Sequence, residues 1–282
     1  MESSLRAAVV QTNSNADRDR NLEVADRLVR RAAGEAAELI VLPEKFNVLG
    51  SPEDLVAGAE PLDGPTLSWA SELAAELGIW LVAGSIVERA QGDRLHNTSV
   101  LLSPDGERVA AYRKIHLFDV EVEGVSYRES DVETPGEDIV VADAGELRLG
   151  PAVCYDLRFP ELFRILALRG ARAFSLPAAF TVPTGRAHWE ILIRARAIEN
   201  QAFVLASGQC GRHPDGKESY GHSMISDPWG RVLGAAGDEL EAVVVADLDL
   251  DEQEAIRAKL PALANRRPGA YLWPEPAGAL SS

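Results

Sequence analysis

The chain has 282 residues, 46% of them hydrophobic, so it can bury a large core in one or two domains. Its 44 acidic and 28 basic residues give a formal net charge of -16, which opposes binding to nucleic acid or to anionic membranes, because phosphate recognition needs a dense cationic face. Residues 1–4 carry no leader-like charge or apolar pattern, and no run of about eighteen apolar residues occurs, so we expect a cytoplasmic protein.

In the first half of the chain, apolar runs of strand type alternate with Ala-, Leu- and Arg-rich stretches of helical period, as in a sheet covered by helices. The predicted elements are, in order, a strand at 5–11, a helix at 21–34, a strand at 38–43, a helix at 65–77 and strands at 79–88, 97–102 and 108–112. The last two flank Pro104-Asp105-Gly106, which has the turn chemistry of a hairpin. Antiparallel pairing is therefore mixed into the sheet, which argues against a purely parallel fold.

The second half repeats the arrangement. Its predicted elements are strands at 139–142 and 147–155, a helix from Pro160, a strand at 172–176, a helix at 185–200, a strand at 202–207, a hairpin turning at 227–230 and a strand at 242–250. Two α/β halves of similar build predict two mixed sheets packed face to face with helices outside. Because no linker separates the halves, we expect a single domain over residues 1–282, with residues 272–282 as a C-terminal tail.

A strand-to-helix turn carries the strongest local signal. In Leu149-Gly150-Pro151-Ala152-Val153-Cys154-Tyr155-Asp156-Leu157-Arg158-Phe159-Pro160-Glu161 an apolar strand stops at the cysteine, and a helix opens at the proline. Exposed amides and a helix N-terminus at such a turn favour a thiolate and bind a developing oxyanion. We predict that Cys154 is a nucleophile, with a buried structural cysteine as the alternative. Cys210, beside Gly208 and Gly211, lacks this setting and is interpreted as structural.

A carboxylate follows a second apolar strand. Leu39-Ile40-Val41-Leu42-Pro43-Glu44 places the glutamate where the chain leaves the sheet, and α/β sheets present their chemistry at such carboxyl ends. A partly desolvated glutamate at this point suits a general base. The alternative is a solvated loop glutamate paired with Lys45.

An ammonium closes the central hairpin. Only four of the 28 basic residues are lysines, yet Lys114 lies in an otherwise aromatic and aliphatic stretch, which indicates a need for a compact point charge. The other three lysines, Lys45, Lys217 and Lys259, call for no such explanation.

Together these residues supply the parts required for acyl transfer: a nucleophile in Cys154, a proton carrier in Glu44 and an oxyanion-stabilising cation in Lys114. No Gly-x-Ser-x-Gly elbow is present. The histidines occur singly, without the spacing of a zinc site, so we expect neither a metal nor another cofactor.

The three motifs resemble those of the nitrilase, or carbon–nitrogen hydrolase, superfamily, whose members carry a Glu-Lys-Cys triad in this chain order. The matching segments are Leu42-Pro43-Glu44, Tyr112-Arg113-Lys114 and Cys154-Tyr155-Asp156, within a likeness that extends from about residue 5 to 271. Segments 154–162, 180–190 and 194–201 resemble the Nit branch, which contains omega-amidases and deaminated glutathione amidases. Segments 209–213 and 219–224 look more like the latter, whereas 47–54 and 120–126 depart from the pattern.

The resemblance implies an α-β-β-α sandwich that forms a homodimer or a higher homo-oligomer through its helices. It also implies that Glu129 is the second glutamate of the family and that Tyr155 donates its backbone amide to the oxyanion. Arg158, Phe180 and Thr184 correspond to substrate-binding positions, where a guanidinium suits a carboxylate. A surface arginine that caps the following helix is the alternative for Arg158.

The expected reaction is hydrolysis of the C–N bond of a small carboxylate-bearing amide through a cysteine thioester, releasing an acid and ammonia or an amine. The expected substrate is deaminated glutathione or an α-keto dicarboxylate monoamide. The alternatives are an N-carbamoyl-amino-acid or polyamine-precursor amidohydrolase and, outside enzymes, a scaffold or binding protein that keeps the fold.

Overall fold

A computed structural model of the chain describes residues 4–92 and 94–271. The described strands are β1 (Ser4–Gln11), β2 (Leu39–Val41), β3 (Trp80–Val82), β4 (Ile86–Arg89), β5 (Leu95–Leu102), β6 (Arg108–Arg113), β7 (Asp119–Val122), β8 (Val125–Arg128), β9 (Ala142–Ala144), β10 (Leu147–Pro151), β11 (Ala173–Ala178), β12 (Phe203–Gly208), β13 (Cys210–Arg212), β14 (Glu218–Tyr220), β15 (Met224–Ser226), β16 (Val232–Ala235) and β17 (Ala242–Asp249). The helices are α1 (Arg18–Gly34), α2 (Pro52–Gly58), α3 (Pro65–Leu77), α4 (Pro160–Leu168), α5 (Val182–Asn200) and α6 (Leu250–Lys259).

The strands form two large mixed sheets. The first has the order β17-β1-β2-β3-β5-β4, with β6 also paired to β5, and the second has the order β16-β15-β12-β11-β10-β9. In each sheet three neighbouring strands are parallel (β1, β2 and β3; β10, β11 and β12), and the strands that flank them (β17 and β5; β9 and β15) pair antiparallel to them. The expected mixture of parallel and antiparallel pairing is confirmed.

Successive side chains of each strand alternate between the core that lies between the two sheets and the core under the helices. In β1, Leu5, Ala7 and Val9 belong to the core between the two sheets, whereas Ala8 and Val10 pack on the side of α1 and α3. In β12 the odd-numbered residues 203 and 205 face the first sheet, and the even-numbered residues 204 and 206 face α4 and α5. This period of two fixes which face each strand buries. The result is the expected four-layer α-β-β-α sandwich.

The chain departs from the predicted elements where it approaches the site. The strand predicted at 79–88 is two strands, because the backbone breaks at Gly84, whose φ is +40°. A side chain at this position would overlap the carbonyl oxygens of Leu42 and Pro43, so the break accommodates the turn that carries Glu44. The strand predicted at 147–155 ends at Pro151, and Cys154–Arg158 forms a 3₁₀ turn.

Other differences lie at the periphery. The strand predicted at 139–142 is found at Ala142–Ala144, and the helix predicted from residue 185 begins at Val182. Helices α2 and α6 and the hairpins β7–β8 and β13–β14 were not predicted. No helix within residues 4–92 and 94–271 is long and apolar enough to span a membrane. The predicted tail at 272–282 lies outside the described residues.

Candidate active site

The site forms where strands of both sheets end. Glu44 lies three residues beyond β2, Lys114 directly follows β6, and Cys154 lies three residues beyond β10. Ala179, directly after β11, places its backbone amide 2.8 Å from Glu44 Oε2. The carboxyl ends of strands from two sheets thus bring together residues that are far apart in the sequence.

Cys154 lies on a strained turn. Its φ is +48°, a left-handed conformation that costs about 1–3 kcal/mol for a residue other than glycine. The carboxylate of Asp156, which is fully buried, holds this turn by accepting hydrogen bonds from the Val153 amide at 2.8 Å and the Tyr112 hydroxyl at 2.7 Å. Sequence reasoning assigned no role to Asp156, although this residue lies two positions after the cysteine.

The thiol of Cys154 is protonated in the resting site. Burial raises its pKa well above the ordinary value, and the charge of Glu44 raises it further, although Lys114 and the Ala179 amide act in the opposite direction. A thiol in this environment needs a base to become a nucleophile.

Glu44 is held from three directions. Its Oε1 accepts hydrogen bonds from Lys114 Nζ at 3.1 Å and from Asn97 Nδ2 at 2.7 Å, while Oε2 accepts the Ala179 amide. The residue is only 2% exposed. The alternative of a solvated loop glutamate paired with Lys45 is therefore wrong. Asn97 is a site residue that sequence reasoning missed, since an asparagine inside a strand carries no recognisable signal.

Lys114 links two carboxylates in the interior. Its fully buried Nζ donates to Glu44 Oε1 and, at 2.7 Å, to Glu129 Oε2. Burial lowers the pKa of Lys114, but Glu129 and Glu44 together raise it well above its usual value, so the ammonium is charged.

Glu129 is ionised for a related reason. Burial raises its pKa, but Lys114 and Lys45, with a 2.8 Å hydrogen bond from the Phe118 amide, lower the pKa to about 2. A permanent carboxylate therefore lies against the ammonium of Lys114.

Lys45 and Glu133 complete the cluster. Lys45 is only 5% exposed, and its Nζ lies 2.5 Å from Glu133 Oε1 and 3.5 Å from Glu129 Oε1. The expectation that Lys45 calls for no special explanation is wrong. A signal was available, because this lysine directly follows Glu44 in an apolar stretch; Glu133, inside a polar loop, offered none.

A cavity of about 400 Å³ opens above the cluster. Glu44, Lys45, Glu129, Glu133 and Cys154 line its floor. The segments that depart from the family pattern reach it: residues 49, 50 and 52 line one side, and residue 126 of the β7–β8 hairpin lines another. Among the described residues no group of three or more His, Cys, Asp or Glu side chains is arranged to hold a metal ion.

None of the four predicted substrate-binding residues lines this cavity, and two of them, Tyr155 and Phe180, lie beside a third, Arg158. The guanidinium of Arg158 lies 5.2 Å from the centre of the Phe180 ring and 5.9 Å from that of Tyr155. Thr184 contacts a residue of the cavity lining, since its Oγ1 is 2.8 Å from Oγ1 of Thr181.

Cys210 is buried elsewhere, with its Sγ 3.7 Å from the carbonyl oxygen of Asp238. Burial, with the nearby charges of Asp238 and Glu239, raises its pKa to about 11. It does not line the cavity, which fits a structural role.

The chain matches the family model described as carbon-nitrogen hydrolase over residues 6–258. It is 44% identical over 273 residues to the deaminated glutathione amidase of Rattus norvegicus, covering 94% of this chain and 83% of the relative. It is 38% identical over 269 residues to omega-amidase NIT2 of Homo sapiens, covering 95% of this chain and 97% of the relative.

Solved structures agree with these matches. The C. elegans NitFhit protein superimposes with a TM-score of 0.90 at 36% identity, covering 96% of this chain and 67% of that one. Saccharomyces cerevisiae Nit3, a member of branch 10 of the nitrilase superfamily, gives a TM-score of 0.85 at 33% identity, covering 94% and 97%. The chain belongs to the carbon–nitrogen hydrolase family, in the Nit branch of the nitrilase superfamily, and is an amidase-type enzyme.

Proposed function

We propose that this amidase cleaves a small carboxylate-bearing amide, with Cys154 as nucleophile, Glu44 as proton carrier and Lys114 as oxyanion-stabilising cation. The observation that carries the proposal is the 3.1 Å contact between Glu44 and Lys114, beside a thiol on the floor of the cavity. These three groups have the chemistry that acyl transfer requires.

The first half of the reaction forms a thioester. Glu44 takes the proton of the Cys154 thiol as the sulfur attacks the amide carbonyl, and Lys114 with the Tyr155 backbone amide stabilises the developing oxyanion. When the tetrahedral intermediate collapses, the C–N bond breaks and Glu44 returns the proton to the departing nitrogen. Ammonia or an amine leaves, and the acyl group stays on the sulfur.

The second half releases the acid. Glu44 removes a proton from a water molecule, whose oxygen attacks the thioester carbonyl. The C–S bond then breaks, and the proton returns to the thiolate of Cys154. Glu129 contributes by keeping Lys114 charged and by orienting the water.

The relatives support the proposed substrate class. They are named for deaminated glutathione and for an omega-amide, so we propose deaminated glutathione or an α-keto dicarboxylate monoamide as the substrate. Arg158 is proposed to bind the carboxylate, since its guanidinium is already positioned by the rings of Phe180 and Tyr155. Thr184 is proposed to bind the same end of the substrate, together with Thr181, whose hydroxyl group it contacts.

The test compares product release from deaminated glutathione and from α-ketoglutaramate by the wild type, by Cys154→Ala and by the matched variant Cys210→Ala. We expect hydrolysis of one substrate to be strongly preferred, to be lost only in Cys154→Ala, and to proceed through an acyl adduct visible by intact-mass analysis. An acyl adduct that persists in Cys154→Ala would reject the nucleophile. Equally poor rates on both substrates would reject the substrate class, and carbon dioxide release would favour an N-carbamoyl substrate.

We also propose that the chain is one domain over residues 1–282 that forms a homodimer through its helices. Large apolar side chains exposed on α4 and α5 support this, namely Ile165, Leu168, Ile191 and Ile198. Light scattering at micromolar concentration tests it, and a stable monomer would contradict it.

The cytoplasm is the proposed compartment, since both cysteines are free thiols.

A further inference from the structure

Five charged side chains of alternating sign form a continuous series of ion pairs in the candidate active site. Named in spatial order, they are Glu133, Lys45, Glu129, Lys114 and Glu44. The successive N···O distances are 2.5, 3.5, 2.7 and 3.1 Å. The catalytic proposal uses the last three members, so the first two, Lys45 and Glu133, have no assigned role.

The backbone conformation at Lys45 and one hydrogen bond position its side chain. Its backbone has a φ of +49°, and its amide donates to Ser85 Oγ at 3.0 Å, so the chain turns there to direct the side chain inward. Burial lowers the pKa of Lys45, but Glu133 and Glu129 raise it above its usual value, so it is a cation at neutral pH. A left-handed residue with a buried charge at the edge of an active site is costly and therefore indicates a function.

We propose that Lys45 is a positioning residue, which holds the carboxylate of Glu129 ionised and directed at Lys114, and that Glu133 in turn holds Lys45. The proposal rests on the proposed function, because it takes Glu44, Lys114 and Cys154 as the reacting set. Lys45 reaches the opposite oxygen of the carboxylate from the one that binds Lys114. Losing it would free Glu129 to rotate and to take up a proton.

Charged and titratable groups from several segments surround the Glu129 carboxylate. They are Lys45 and Glu44 after β2, Lys114 after β6, Glu133 in the segment after β8, and Cys154 after β10. With Lys45 removed, three carboxylates share the single ammonium of Lys114. Glu133 then repels Glu129 without compensation, which raises the pH at which Glu129 becomes neutral.

The experiment measures kcat and KM against pH for Lys45→Met, Lys45→Arg, Glu133→Gln and the double variant Lys45→Met/Glu133→Gln, with the exposed Lys259→Met as control. Lys45→Met should lower kcat by roughly ten- to a hundredfold, the usual cost of losing a partner that orients a site's ligands, with KM little changed. On the acid side of the kcat–pH profile of this variant, the pH at which activity is lost should rise by about one unit or more. Lys45→Arg should keep most activity, because a guanidinium bridges two carboxylates.

The double variant separates positioning from a merely structural role. If Lys45 only neutralised Glu133, removing both charges would restore kcat and the wild-type pH profile, which would overturn the proposal. We expect instead that the double variant stays impaired, and that Glu133→Gln alone lowers kcat less than Lys45→Met does, because glutamine retains an oxygen acceptor for Lys45. If Lys45→Met fails to fold, kcat and the pH profile of the double variant test the proposal in its place.

Two further outcomes would overturn the inference. An increase in KM alone would make Lys45 a substrate contact, and unchanged kcat with an unchanged acid limb in folded Lys45→Met would remove its role. Either result leaves the proposed function intact if the wild type hydrolyses the amide. A wild type that is inactive on amides contradicts the proposed function itself.

Discussion

At the scale of single residues, the site depends on charges that are buried only because each has a partner. Lys114 is enclosed between Glu44 and Glu129, and the removal of one member leaves uncompensated charge in the interior. The sequence predicted the thiol, the carboxylate and the ammonium, because each follows a recognisable strand. It missed Asn97, Asp156 and the role of Lys45, since their functions depend on contacts between distant segments.

Lys114→Met tests the interior cation. Losing an oxyanion donor costs about 3–4 kcal/mol of transition-state stabilisation, so kcat/KM should fall by roughly a hundred- to a thousandfold. The free energy of unfolding should also fall by about 3–5 kcal/mol, because two buried carboxylates lose their counter-charge.

The double variant Lys114→Met/Glu129→Gln separates the two effects. It should regain part of the stability, measured by denaturant unfolding, but none of the activity. Recovery of turnover in this variant would mean that Lys114 acts only by neutralising Glu129.

At the scale of elements, hydrophobic period predicted most strands and helices well, including the full extent of α3. The failures share a physical cause. A long apolar run predicts one strand over 79–88, but the strand is interrupted at Gly84. At this position the backbone carbonyl oxygens of Leu42 and Pro43, in the turn that carries Glu44 (here called the Pro43 turn), come too close for a side chain. The hairpins β7–β8 and β13–β14 are short and partly exposed, so their sequences lack a strong apolar pattern.

Gly84→Ala tests the link between this break and the site. The added methyl group would overlap the carbonyl oxygens of Leu42 and Pro43 and would displace the turn that carries Glu44. We expect a loss of about 2 kcal/mol or more in the free energy of unfolding, together with a lower kcat. The matched variant is Gly78→Ala, because Gly78 also has a positive φ, +64°, but its added methyl group would meet nothing within 4 Å.

Gly78→Ala should lose only about 1 kcal/mol and keep full activity. Thermal unfolding and kcat/KM on the same samples give the comparison. Equal effects of the two variants would show that backbone conformation alone, and not the contact with the Pro43 turn, matters at position 84.

At the scale of the whole molecule, the two-sheet architecture was predictable because both halves repeat the same kind of pattern. The pairing of β1 with β17, in register from Ser4 with Asp249 to Gln11 with Ala242, was not predictable, since periodicity does not state which strands are neighbours. The convergence of the site depends on such long-range pairing. The family resemblance therefore predicted more of the site than local pattern alone.

The stability of the fold should depend on pH through Glu129. Its pKa is about 2 in the folded protein against an ordinary value of 4.5, so the unfolded chain binds its proton more readily. A lowered carboxyl pKa stabilises the folded state above about pH 4.5, and this contribution disappears as the pH falls through about 2. The contribution is on the order of 3 kcal/mol.

The measurement is the difference in melting temperature between the wild type and Glu129→Gln across pH 2 to 8. The difference should be greatest above about pH 5 and should become small near pH 2, because the carboxyl group is then neutral in the unfolded chain and about half neutral in the folded protein. Glu133 has the opposite effect on the pH dependence of stability, since burial and the nearby charge of Glu129 raise its pKa despite the charge of Lys45. Comparing variants at one position cancels the titration of distant carboxylates, so a difference that stays constant with pH would refute the ionised state of Glu129.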